Sequence, residues 1–149
     1  MAHRLLSEAE WSALELSELV REVIVAVVQS GPPALSIDAR VEDSPLRVVA
    51  RQVGNVALLV NELATNSLKH ALGGRNALRL QARCRPDAAG ILLEYRDDGP
   101  GYPRDVLEGQ RAGAGLQLLT SIAERSLRAE VELLNDGGAV ARIRLPVAG

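Results

Sequence analysis

Apolar residues recur at helical spacing after Leu16. Leu19, Val20, Val23, Ile24, Val27 and Val28 form one stripe, which predicts a buried helix ending at Gly31-Pro32-Pro33. Ser7 and Glu10, just upstream, have capping-box spacing. The period then changes to two. Leu35, Ile37, Ala39 and Val41 alternate with polar positions, and residues 46–49 follow the turn signal Asp43-Ser44-Pro45, so a pair of short strands is expected. From about Arg51 to Leu72 the pattern is helical again, closed by Gly73-Gly74. Residues 78–84 and 91–95 alternate as two strands across Pro86-Asp87-Ala88-Ala89-Gly90. Residues 102–112 are polar and unpatterned, after which Leu116, Leu119, Ile122 and Ala123 predict a helix opened by Gly113-Ala114-Gly115. Residues 129–134 and 140–145 close the chain as a hairpin through Asn135-Asp136-Gly137-Gly138. Helices and strands that never alternate strictly predict an α+β fold, a mixed sheet covered on one face by helices.

Length and composition narrow the function. At 149 residues with 47% hydrophobic content, the chain makes one domain with a core that needs no metal or disulfide. A formal net charge of −2 offers no broad attraction to nucleic acid or anionic lipid. The single cysteine, Cys84, reads as a small buried hydrophobe in a reducing compartment. No apolar run approaches the roughly 20 residues of a membrane span, and no signal-peptide pattern opens the chain, so a cytoplasmic protein is expected.

The long central helix carries the candidate chemistry. Asn55, Glu62, Asn66 and Lys69 fall within an arc of about 60° at 100° per residue. Val56, Leu59, Val60, Leu63 and Ala71 take much of the other side. Asn66 offers a carbonyl oxygen for Mg²⁺, Lys69 a charge for phosphate, and Glu62 an acceptor that orients a nucleophile or takes its proton. The same stripe alone also suits an ordinary solvated helix face. Two glycine motifs tip the reading. Asp97-Asp98-Gly99-Pro100-Gly101 follows a strand, with Asp97 placed to accept from an exocyclic amine and Gly99 and Gly101 lacking Cβ atoms. Gly113 and Gly115 stand where a loop enters a helix, the place for an anion.

Asn61-Glu62-Leu63-Ala64-Thr65-Asn66-Ser67-Leu68-Lys69-His70-Ala71 resembles the N box of histidine kinases, residues 97–101 their G1 box and residues 113–118 their G2 box, in the family's order. The wording is closest to the HWE and related subgroups of the GHKL superfamily, and the resemblance runs from Leu16 to Val147. It implies a Bergerat-type two-layer α/β sandwich over residues 1–149, with an N-terminal extension (1–15) and an ATP lid (102–112). Asn66 would ligate Mg²⁺, Glu62 would be the acidic N-box residue, and Lys69 and His70 would lie near the phosphates. Asp97 would bind the adenine amine, and Gly99, Gly101, Gly113, Gly115 and Leu116 would shape the ATP pocket.

The resemblance also implies a function. The chain would bind Mg-ATP and pass the γ-phosphate to a histidine-bearing phosphoacceptor domain or response-regulator pathway protein; a homodimer stays open. His3-Arg4 stands too near the N box to be the acceptor and reads as an accidental terminal histidine. Ala139 replaces a common Thr, a hydroxyl worth about 1 kcal/mol if hydrogen-bonded. The alternatives are an anti-sigma-factor serine kinase and a degenerate module that binds without turnover. The paired strands of residues 35–49 and Lys69-His70 favour the histidine kinase.

Overall fold

A computed structural model of the protein describes residues 15–71, 76–88, 90–107 and 120–146, the side chains of residues 70 and 71 excepted. Helix α1 (Leu16–Gln29) is followed by strand β1 (Ser36–Val41), a 3₁₀ turn (Ala50–Gln52) and the long helix α2 (Val53–Ala71). Strands β2 (Ala77–Asp87) and β3 (Gly90–Asp97) come next, then one helical turn (Arg104–Leu107), a π-helical turn (Ile122–Ser126), β4 (Glu130–Asn135) and β5 (Ala139–Pro146). The strands form one sheet in the order β1-β2-β3-β5-β4. Only β1 and β2 run parallel; the other pairs are antiparallel. This is the mixed, mainly antiparallel α+β sheet that the pattern predicts.

Helices α1 and α2 pack together and against the sheet. The α1 stripe buries Leu16, Leu19, Val20, Ile24 and Val27, and α2 buries Val56, Leu59, Val60 and Leu63 with at most 1% exposure. From the sheet come Leu80, Leu93, Tyr95 and Ile143, so inward positions of the strands meet the apolar helix stripes. Cys84 is buried among them without a disulfide, and burial, with the charge of Glu42, pushes its thiol up to about 12. It is the inert small hydrophobe that its context suggests.

The expected pairing of residues 35–41 with 46–49 does not form. β1 lies parallel to β2, and the connection between them is α2, a crossover that a parallel pair requires. Residues 46–49 instead run past the start of α1: Glu15 bridges Arg47, and Leu16 N–H donates to the Leu46 carbonyl at 2.9 Å. The buried Ser17 decides this. Its hydroxyl donates to the Ser44 carbonyl and accepts from the Ser44 N–H, both at 3.2 Å, which draws the turn onto α1 rather than back along β1. Helix α1 starts at Leu16 after Glu15, and the Ser7–Glu10 capping box lies outside the described residues. So do Gly73-Gly74 and the glycines expected to open the helix after the lid. Of that helix, residues 120–126 are described, and it ends as a π turn with Leu127 N–H bonded to the Ile122 carbonyl.

Candidate functional site

The alternation of β3 aims Leu93, Tyr95 and Asp97 at α2, where Leu63 and Ser67 lie one helical turn apart on the inner face. Asp97 is 8% exposed and is held by three neutral donors. Ser67 Oγ donates to Asp97 Oδ2 at 2.6 Å, and the N–H groups of Gly99 (2.9 Å) and Ala139 (3.1 Å) donate to Oδ1. Ser67 Oγ is also 2.8 Å from the buried Tyr95 hydroxyl. A serine hydroxyl has one hydrogen, so Tyr95 donates to Ser67 as Ser67 donates to Asp97. Burial, above all, and the Asp97 charge push the Tyr95 and Tyr102 hydroxyls far above their ordinary range, and both stay protonated donors.

Sequence reasoning missed Ser67, which looks like a filler between Asn66 and Leu68. Its signal was helical geometry: four residues after Leu63, it belongs to the buried stripe, where a hydroxyl needs a partner. Position 139 also reaches Asp97, but through its backbone. The hydroxyl on Asp97 comes from α2, while position 139 contributes its backbone N–H.

The glycines have specific intramolecular reasons. Gly101 has φ +87°, and a Cβ there would meet Asn135 Cγ at 2.8 Å. Asn135 accepts from the Tyr102 N–H (2.8 Å) and donates to its carbonyl (3.1 Å), so Tyr102, read as the first lid residue, is clamped to the β4–β5 turn. A Cβ on Gly138 would strike the Asp97 carbonyl, which makes this glycine, unlike Gly137, a requirement of the site. At Gly99 a Cβ would press on Asp97 Oδ1 at 3.2 Å.

On α2, Glu62, Asn66 and Lys69 occupy successive turns of the face beside Ser67; Glu62 and Asn66 are half-buried and Lys69 is exposed. The Asn66 Nδ2 is buried with no hydrogen-bond partner among the described residues. A half-turn of that carboxamide presents either an amide donor, suited to a phosphate oxygen, or a carbonyl oxygen, suited to Mg²⁺. Among the described residues no group of three or more His, Cys, Asp or Glu could hold a metal by itself. A Mg²⁺ bound at Asn66 would draw its remaining ligands from phosphate and water.

The structure thus joins Ser67, Gly99 and Ala139 directly to Asp97, and Asn66 stands next to Ser67 on α2. It does not put Glu62 or Asn66 around the cavity that Asp97 lines among the described residues, a groove of about 180 Å³ shared with Arg79, Arg96, Asp98 and Asp136. Gly113, Gly115 and Leu116 lie outside the described residues, as does the His70 side chain.

The profile of the histidine kinase-, DNA gyrase B- and HSP90-like ATPases matches residues 52–149, which contain the whole of this arrangement. The chain belongs to that family. An ATP site is part of this ATPase domain. It is similar to a blue-light-activated histidine kinase of Rhizobium johnstonii, 26% identical over 99% of the chain and 41% of that protein. It also resembles the C4-dicarboxylate transport sensor protein DctB of Pseudomonas aeruginosa, 30% identical over 83% of the chain and 22% of that protein. The ATPase domain therefore spans less than half the length of these relatives. Its fold matches the histidine kinase domain of the Erythrobacter litoralis EL346 blue-light activated histidine kinase, with TM-score 0.73 and 23% identity over 90% of this chain and 66% of that one. The ATP-binding domain of PrrB from Mycobacterium tuberculosis gives TM-score 0.69 and 24% identity over 91% and 96%.

Proposed function

We propose that this ATPase domain is the catalytic module of a cytoplasmic two-component histidine kinase, which binds Mg-ATP and supplies its γ-phosphate to a histidine on a separate domain or chain. The observation that carries the reading is Asp97, a buried carboxylate whose donors among the described residues are all neutral, and which is so able to accept from the adenine amine. The relatives support it, since those matched over most of the chain are named histidine kinases or a sensor protein.

Asn66 holds Mg²⁺ in this reading, and the metal neutralises triphosphate charge when bound. The resemblance to the N and G2 boxes assigns Lys69 and His70 to the phosphates, and Gly113, Gly115 and Leu116 to the nucleotide pocket. Glu62, one turn before Asn66, accepts the proton released by the incoming imidazole nitrogen. The bond from the γ-phosphorus to the bridging oxygen breaks as a nitrogen–phosphorus bond forms, and ADP leaves. Nothing here becomes covalently modified; the domain works by position and charge.

Incubating the protein with labelled ATP and a histidine-bearing acceptor domain should give an acid-labile label. An acid-stable label would instead mark a serine kinase, and no nucleotide binding a module without turnover. Asn66→Ala should abolish Mg²⁺-dependent nucleotide binding with the fold intact by circular dichroism; unchanged affinity removes the metal assignment.

A further inference from the structure

The end of the sandwich away from Asp97 holds a second cavity, of about 680 Å³, which the nucleotide reading leaves unused. It opens around Gly90 and Ile91, seven residues and roughly 23 Å of strand from Asp97. Val48, Val49, Val56, Ile91, Leu127 and Leu145 give it apolar walls. Arg128, on its rim, holds φ +53°, a left-handed conformation uncommon outside glycine that the surrounding packing has to maintain.

Several observations identify an occupant. The chain enters the described structure at the cavity rim, because Glu15 bridges Arg47 and Leu16 bonds to Leu46, both of which line it. The fourteen residues before Glu15 carry Leu5, Leu6, Trp11 and Leu14, an apolar content with no use in the nucleotide site. Trp11 stands four residues from Glu15, a reach of roughly 13 Å. Its indole is a large apolar body of the kind that fills such a space, burying about 150–250 Å².

We propose that this cavity is the docking groove of the chain's own N-terminal segment, with the Trp11 indole as its anchor. Gln52, the last residue of the 3₁₀ turn that leads into α2, and Val56, in the first turn of α2, line the groove. The anchor thereby ties whatever precedes Glu15 to the helix that carries Glu62, Asn66 and Ser67.

Trp11 is the only tryptophan, so its fluorescence reports on the proposal directly. The full chain should emit to the blue of N-acetyltryptophanamide and show iodide quenching several-fold weaker. Val49→Glu and Ile91→Glu place a charge on partly exposed wall positions, and each should shift the emission red and restore quenching while circular dichroism stays native. Emission and quenching equal to the free indole would overturn the proposal. So would blue emission that neither substitution moves. A second reading avoids altering the walls: Trp11→Ala should bare the groove and raise anilinonaphthalene sulfonate fluorescence several-fold. Dye uptake equal to that of the unaltered chain would also overturn it.

Discussion

Glu94 and Asp97 are both buried, at 6% and 8% exposure, and stand three positions apart on β3, so the strand sends them to opposite faces of the sheet. On the open face, Glu94 meets full charges. Arg83 and Arg96 approach its Oε1 at 3.2 and 3.4 Å, and Arg142 its Oε2 at 3.1 Å. Burial raises the Glu94 carboxyl, but the Arg142 hydrogen bond and the three positive charges outweigh it and hold the group below its ordinary value. On the helix-covered face, the donors to Asp97 among the described residues are all dipoles: a serine hydroxyl and two backbone N–H groups. Two carboxylates of one strand therefore have different work. The charge of Glu94 is spent on arginines that knit β2, β3 and β5 together, whereas Asp97 is positioned without being neutralised and keeps its field for a ligand amine.

The sharpest way to break this contrast is to remove one charge at a time. Asp97→Asn should lower ATP affinity about 10- to 100-fold, the effect of losing a hydrogen bond to a charged group worth roughly 1.5–3 kcal/mol. It should also narrow the preference for ATP over GTP. Titration calorimetry measures both, and an unchanged preference would place Asp97 with Glu94 as a structural acid.

Glu94→Gln should leave ATP affinity intact but reduce stability by about 1–3 kcal/mol in urea unfolding, because three guanidinium groups lose their common partner. Its pH signature sharpens the point. A carboxyl held below its ordinary 4.5 contributes stability that is present above that value and is lost as pH falls through the lower folded value. The unaltered protein should thus lose stability below about pH 4.5 more steeply than Glu94→Gln does; parallel curves would deny the arginine cluster its role.

The smallest effect belongs to the outer link of the Asp97 relay. Tyr95→Phe removes one neutral hydrogen bond and should cost about 0.5–1.5 kcal/mol of stability, while Ser67 still donates to Asp97 and ATP affinity holds. A loss of affinity as large as that of Asp97→Asn would mean that the hydroxyl chain, rather than the carboxylate alone, reads the nucleotide.

Much of this was legible before any coordinates. The helical period of residues 53–71 and the alternation of β2 and β3 follow from the repeat of buried side chains, which local geometry dictates. Asp97 and the glycines around it could be singled out because a carboxylate beside Gly-Pro-Gly at a strand end is a local pattern. Ser67, Asn135 and Gly138 could not. Each matters through a partner 30 or more positions away, across a sheet whose order the alternation does not encode. The failed pairing of residues 46–49 has the same origin, since Ser17, 27 residues upstream of Ser44, redirects that turn.

By itself, the sequence determined which faces of the helices and strands must leave water, and which short run of residues carries the oxygen and ammonium groups. Those are properties of neighbouring positions, governed by periods of 3.6 and 2. Only the tertiary structure decided that β1 joins β2 in parallel, that Asp97 is gripped by neutral donors while Glu94 is surrounded by arginines, and that an apolar cavity opens at the point where the chain enters. Those outcomes depend on contacts between segments distant in sequence, whose energies are set only when the whole sheet closes against its helices.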